Sequence, residues 1–149
     1  YEEVYNIPLV MRVPGVDGGS EDYDTKTSLV DLAPTLLDYC GADPIEAAQG
    51  RSLRPVFEDT AEASDWSAAY GAFFGQRFVY TLRMTWHGDW KYVEFFEPGR
   101  ADELYRLDQD LGEQKDLVAR HPERAADMRA RLKAWQAEVD ARMPSPNPR

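Results

Sequence analysis

The chain has 149 residues, 43% of them apolar and 12% aromatic, enough for a packed core and too many for a disordered tail. A formal net charge of -10 argues against the basic surfaces that hold nucleic acid or anionic membranes, so neither is an expected partner. Cys40 is the single cysteine, so no intrachain disulfide can form, and no apolar run approaches the ~20 residues that span a bilayer.

In chain order, Ile7-Pro8-Leu9-Val10-Met11-Arg12-Val13 predicts a short, mostly buried strand that stops at the turn dipeptide Pro14-Gly15. Residues 15–25, rich in Gly, Asp and Ser, predict a surface loop. A helix follows, with Asp31 as N-cap, Pro34 in its first turn and Gly41 in the left-handed position after its end. Leu32, Leu36, Leu37 and Cys40 fall on one face of it, which predicts a buried, inert thiol. Gly50-Arg51-Ser52-Leu53-Arg54-Pro55-Val56-Phe57 predicts a loop feeding one helical turn, and the small, polar residues 58–67 predict a linker.

Beyond the linker the periods change. Residues 68–74 predict a strand. Residues 77–86 alternate, with Phe78, Tyr80, Leu82, Met84 and Trp86 expected on the buried face and Arg77, Val79, Thr81, Arg83 and Thr85 on the other. His87-Gly88-Asp89 turns the chain into Trp90-Lys91-Tyr92-Val93-Glu94-Phe95-Phe96, an antiparallel hairpin, and residues 103–107 predict a further strand. Pro122 opens a helix whose Ala125, Met128, Leu132, Trp135 and Val139 repeat at helical spacing and are expected to lie across the sheet. Asp127 with Arg131 and Glu138 with Arg142 are spaced for ion pairs along that helix. Residues 144–149 predict a loose tail.

Chemistry is scarce in this pattern. His87 and His121 have no second ligand at metal-binding spacing and read as turn and helix-entrance residues. Residues 108–113 hint at a calcium loop, but the glycine falls fifth and Ala119 occupies the twelfth position, so a solvated turn is expected. Trp86, Trp90, Tyr92, Phe95 and Phe96 suit a core better than a sugar platform. No phosphate-binding loop or nucleophile elbow is present.

Several stretches taken together resemble the C-terminal part of the type I sulfatases, the arylsulfatase and N-sulfoglucosamine sulfohydrolase group. YEEVYNIPLVMRVPGV resembles the run into a late strand of their large domain, TSLVDLAPTLLDYCGAD the helix after it, and QGRSLRPVF the Gly-Arg-Ser-Leu-x-Pro turn. RMTWHGDWKYV resembles the Arg-Met-x-Arg-Thr-x-x-x-Lys-Tyr hairpin of the small domain, with Trp86-His87 in place of Arg-Thr. DELYRLDQDLGEQKDL resembles the Glu-Leu-Tyr-Asp-Leu-x-x-Asp-Pro-x-Glu-x-x-Asn-Leu strand and turn, with Asp110-Leu111 for Asp-Pro and Asp116-Leu117 for Asn-Leu. The family's Cys/Ser-x-Pro-x-Arg formylglycine motif and its paired-Asp metal ligands do not occur, and Cys40 is followed by Gly41-Ala42-Asp43.

The resemblance implies an α+β fold: the edge of a large α/β sulfatase domain (1–57), a linker (58–67), and a small antiparallel sheet of about four strands packed by a long C-terminal helix (68–143). It implies a C-terminal portion of a sulfuric-ester hydrolase, inactive alone and partnered by a missing N-terminal sulfatase domain. It further implies calcium as the complete enzyme's cofactor and a sulfated small molecule or glycan as its substrate. Tyr70 and Arg83, beside the Gly71 to Gly75 stretch, are the candidate substrate contacts, since glycine lets a ligand approach a sheet. The alternative is a non-catalytic acidic α+β binding module of the same ancestry.

Overall fold

A computed structural model of the chain describes residues 5–13, 15, 23, 25–58, 68–73, 82–97 and 99–141. The chain divides into two compact units, Tyr1–Asn6 with Tyr70–Arg149 (the sheet unit) and Ile7–Ala69 (the helical unit).

The sheet unit is built on four strands in the order β1-β2-β3-β4: Ala68–Phe73, Leu82–His87, Trp90–Phe95 and Glu103–Arg106. β2 and β3 pair antiparallel from Leu82↔Phe95 to His87↔Trp90, and β3 pairs antiparallel with β4 from Trp90↔Arg106 to Val93↔Glu103. The hairpin turn is Gly88-Asp89, with Gly88 at φ 57°, a conformation glycine adopts without steric cost. His87 is therefore the last strand residue rather than part of the turn. Residues 77–81 of the expected strand, and Phe74 and Gly75, lie outside the described residues.

The C-terminal helix, here α3 (Pro122–Glu138), starts with Pro122 as expected and carries Glu123 in its first turn. Its Ala125, Met128 and Leu132 bury against Tyr92 and Leu104 of the sheet, with Tyr70, Trp90, Leu117, Val118 and Trp135 packed around them. Full burial of a side chain such as Leu or Met is worth about 1.5–3 kcal/mol, so this layer dominates the unit's stability. The helix covers the face of Thr85 and Tyr92, not the face of Met84 and Trp86 on which the alternation placed the core. Met84 and Trp86 are nonetheless 0% and 6% exposed, while Arg83 and Thr85 are 2% and 0% exposed, so β2 is buried on both faces. Alternation distinguishes two faces; it does not say which one receives the helix.

Two details of α3 differ from the apolar stripe. Gln136 is buried and donates its Nε2 to Glu94 Oε2 at 3.3 Å. Trp135 is only half-buried, its ring stacked on Tyr70 at 4.7 Å between centroids and 1° between planes. Replacing Trp135 with Ala is therefore expected to cost about 2 kcal/mol, below the range of roughly 3–5 kcal/mol for a fully buried tryptophan, as read by urea denaturation. Arg131 and Asp127 pair at 3.1 Å; Arg142 and the tail lie outside the described residues.

In the helical unit a 3₁₀ turn, Leu29–Asp31, runs into α1 (Leu32–Cys40), and α2 (Arg54–Phe57) follows. Asp31 holds the N-cap position of α1 as expected, but its side chain makes no capping hydrogen bond to that helix. Its Oδ2 accepts the N–H of Ser28 at 2.8 Å, one turn earlier, and its Oδ1 accepts the N–H of Arg51 at 3.1 Å. Gly41 takes the left-handed position at φ 63°, as expected. Residues 7–13 are not a strand, and Ile7 and Val10 are 57% and 93% exposed. A strand exists only through a hydrogen-bonded partner, and the one sheet among the described residues does not include this segment. The expected apolar face of α1 also fails: Thr35 is its buried residue, Leu36 is 56% exposed and Cys40 is exposed rather than buried.

Candidate functional site

Among the described residues polar chemistry gathers at three places. The first joins the hairpin to the turn after β4. Lys91 Nζ lies 2.6 Å from Glu113 Oε1, and their side chains are 0% and 4% exposed. The ammonium also sits 4.9 Å from the Trp86 ring centroid and 5.7 Å from that of Tyr5, within cation–π range. Glu113 has φ 54°, a left-handed conformation that a non-glycine residue adopts at a cost of about 1–2 kcal/mol. The turn expected to be solvated thus sends one carboxylate into the protein. Neither residue stood out singly in the sequence. The available signal was that the resemblance places Lys91 and Glu113 at the Lys and Glu of two separate motifs.

The second place lies at the sheet–helix junction. The Tyr92 hydroxyl donates to Asp102 Oδ2 at 2.6 Å, Arg129 Nε donates to the Tyr92 oxygen at 2.7 Å, and Arg129 Nη2 also bonds Asp102 Oδ2. Burial, reinforced by the bond to Asp102, pushes the Tyr92 hydroxyl far above its ordinary value. It is therefore protonated at neutral pH and serves as a donor.

The third place locks α1 to the loop before α2. Thr35 Oγ1 donates to the Asp31 carbonyl at 2.6 Å and accepts the N–H of Leu53 at 2.8 Å. Ser52 Oγ donates to Asp38 Oδ2 at 2.6 Å, and Arg54 Nη1 donates to Asp38 Oδ1 at 3.2 Å. The Ser52 bond, helped by Arg54, holds the Asp38 carboxyl below its ordinary value. A shallow groove of about 420 Å³ beside this lock is lined by Pro34, Leu37, Asp38, Pro44, Ile45 and Arg51, and its Asp38 is already engaged.

The two candidate substrate contacts are placed as follows. Tyr70 stacks on Trp135, and burial raises its hydroxyl pKa. Arg83 is 2% exposed, faces Glu94 across the ladder and has its guanidinium 5.7 Å from the Phe96 ring centroid. Both take part in packing. The close approach that Gly71 permits is made by protein: a Cβ there would meet the Trp86 ring at 3.2 Å and the Tyr5 ring at 3.5 Å. His121 meets Trp90 edge-on at 5.2 Å.

The carboxylates of the 108–113 turn do not fit calcium. Asp108 accepts two bonds from Arg106, Asp110 Oδ2 accepts the N–H groups of Gln114 and Lys115, and Glu113 pairs with Lys91. A calcium site needs six to eight converging oxygens. Among the described residues no group of three His, Cys, Asp or Glu is placed to hold a metal. No described helix is long and apolar enough to cross a membrane.

Comparison with known proteins adds what the geometry leaves open. The family profile described as N-sulphoglucosamine sulphohydrolase, C-terminal, matches residues 1–140. Arylsulfatase K of Xenopus laevis is 28% identical over 90% of this chain and 26% of its own length. A Delta 4,5-hexuronate-2-O-sulfatase of Bacteroides thetaiotaomicron is 33% identical over 79% of this chain and 25% of its own. A solved structure described as a complex with its substrate, D-glucosamine-2-N,6-O-disulfate, superposes with a TM-score of 0.68 at 25% identity, over 79% of this chain and 25% of that one. The chain spans about a quarter of the length of the relatives it matches.

Proposed function

Because the chain belongs to the N-sulphoglucosamine sulphohydrolase C-terminal family, we propose that it is the C-terminal portion of a sulfatase whose reaction centre is supplied by a preceding portion of the same polypeptide. In this reading residues 1–57 complete the large α/β domain, 58–67 link, and 68–143 form the small C-terminal domain. The substrate class is a sulfated saccharide, supported by the printed descriptions of the relatives. Calcium, which the resemblance implies for the complete enzyme, would be held outside this chain's 108–113 turn. Tyr70 and Arg83 are the candidate substrate contacts in this reading, Tyr70 with its ring stacked on Trp135 and Arg83 with its guanidinium 5.7 Å from the Phe96 ring centroid.

One observation carries the proposal. The helical unit buries Leu53 and Val56 as its own core, with Phe57 beside them. Among the described residues, every large apolar side chain that is mostly exposed, except Leu111, lies in this unit, including Val10, Leu29, Val30, Leu36 and Ile45. That concentration of exposed apolar residues in one unit supports a surface completed by another body of protein. The preceding portion of a sulfatase is the body that the family supplies.

The test is an assay of the isolated chain and of the chain produced in frame with its preceding coding sequence, on a chromogenic aryl sulfate and a sulfated glucosamine with calcium present. The isolated chain is expected to show no turnover above buffer and the longer product to show it. Turnover by the isolated chain that survives repurification and is lost on substituting one of its residues would overturn the proposal. Inactivity of both, with saccharide binding retained by the isolated chain, would favour the binding-module alternative.

A further inference from the structure

Tyr5 precedes the helical unit in sequence yet belongs to the sheet unit. Its ring lies 5.8 Å from that of Trp86, tilted by 54°, and 5.7 Å from Lys91 Nζ. Gly71 of β1 forms the floor of the same slot: an added Cβ would come within 3.2 Å of Trp86 and 3.5 Å of Tyr5, tighter than or at the edge of ordinary contact. The slot therefore has an aromatic wall, a glycine floor and a buried cation whose charge is balanced by Glu113. The Tyr5 hydroxyl is buried without a hydrogen-bond partner, so the ring, not the hydroxyl, makes the contact favourable.

We infer that the Gly71–Trp86–Lys91 slot is a docking site that selects the Tyr5 ring. The slot selects an aromatic residue: an aliphatic side chain would fill space without the ring quadrupole that faces the Lys91 ammonium.

The test uses the full chain and the reactivity of its lysines. Lys91 is fully buried, so acylation by a water-soluble ester, followed by peptide mass spectrometry, reports the opening of the slot against Lys115 as an internal reference. Tyr5→Ala is expected to raise the rate of Lys91 acylation at least tenfold, with Lys115 unchanged. Tyr5→Phe, which removes only the unpartnered hydroxyl, is expected to leave Lys91 as protected as in the native chain. Should Tyr5→Ala fail to fold by circular dichroism, Tyr5→Leu replaces it in the same comparison. Equal protection of Lys91 in the ring-deleted variant would overturn the docking site. Equal exposure in Tyr5→Phe and the ring-deleted variant would overturn the role of the ring.

Discussion

Removing either partner of the Lys91–Glu113 pair is expected to cost about 3–5 kcal/mol, because the other charge stays buried and loses its partner at 2.6 Å. Both side chains are almost completely excluded from water, at 0% and 4% exposed. A surface pair would be worth no more than about 1 kcal/mol. The double variant Lys91→Met with Glu113→Leu is expected to be more stable than either single one, since it removes both charges and keeps apolar volume in the site. The left-handed backbone of residue 113, at φ 54°, stays strained in all three variants and cancels from the comparison. Urea denaturation followed by tryptophan fluorescence reads the cycle. Single losses that simply add in the double variant would show that the two groups do not sense each other.

Gly50→Ala is expected to be nearly as damaging. A Cβ at position 50 would stand 2.0 Å from the Val30 carbonyl oxygen, 2.3 Å from its carbon and 2.8 Å from Asp31 N. All three are backbone atoms, so no side-chain rotation relieves the clash and the loop must withdraw. Withdrawal takes the Arg51 N–H from Asp31 and the Leu53 N–H from Thr35. Overpacking and two lost hydrogen bonds together put the cost at about 3–5 kcal/mol. Gly41→Ala is the matched control, with open space around the added carbon and only φ 63° to strain it, so about 1 kcal/mol is expected there. Amide exchange at Leu53 and Val56 measures both, and a Gly50→Ala chain as protected as the control would refute the close approach.

What the sequence disclosed follows from which forces are local. The hairpin, the Pro122 helix start and the Gly41 stop depend on neighbours within a few residues, and periodicity and capping chemistry reveal them. Which face of β2 receives α3 depends on the register Thr85↔Tyr92 and on the bulk of Tyr92 and Leu104, set between strands rather than along one. Residues 7–13 have the composition of a strand, but strand formation is a property of a pair. The Lys91–Glu113 pair was not legible as a pair for a related reason: the lysine lies in the hairpin and the glutamate in a turn expected to be solvated, and only the fold brings them within 2.6 Å. The family motifs were legible as strings, while their physical content, an ion pair and an Asp31–Thr35–Asp38 lock, required coordinates.

The most direct measurement is the sequence of the coding DNA upstream of the Tyr1 codon, read together with the mass of the natural product. The proposal of a C-terminal sulfatase portion predicts an open frame several hundred codons long containing Cys/Ser-x-Pro-x-Arg, and a natural protein several times heavier than 17.0 kDa. A start codon just upstream of Tyr1 and a natural protein close to 17.0 kDa would contradict it.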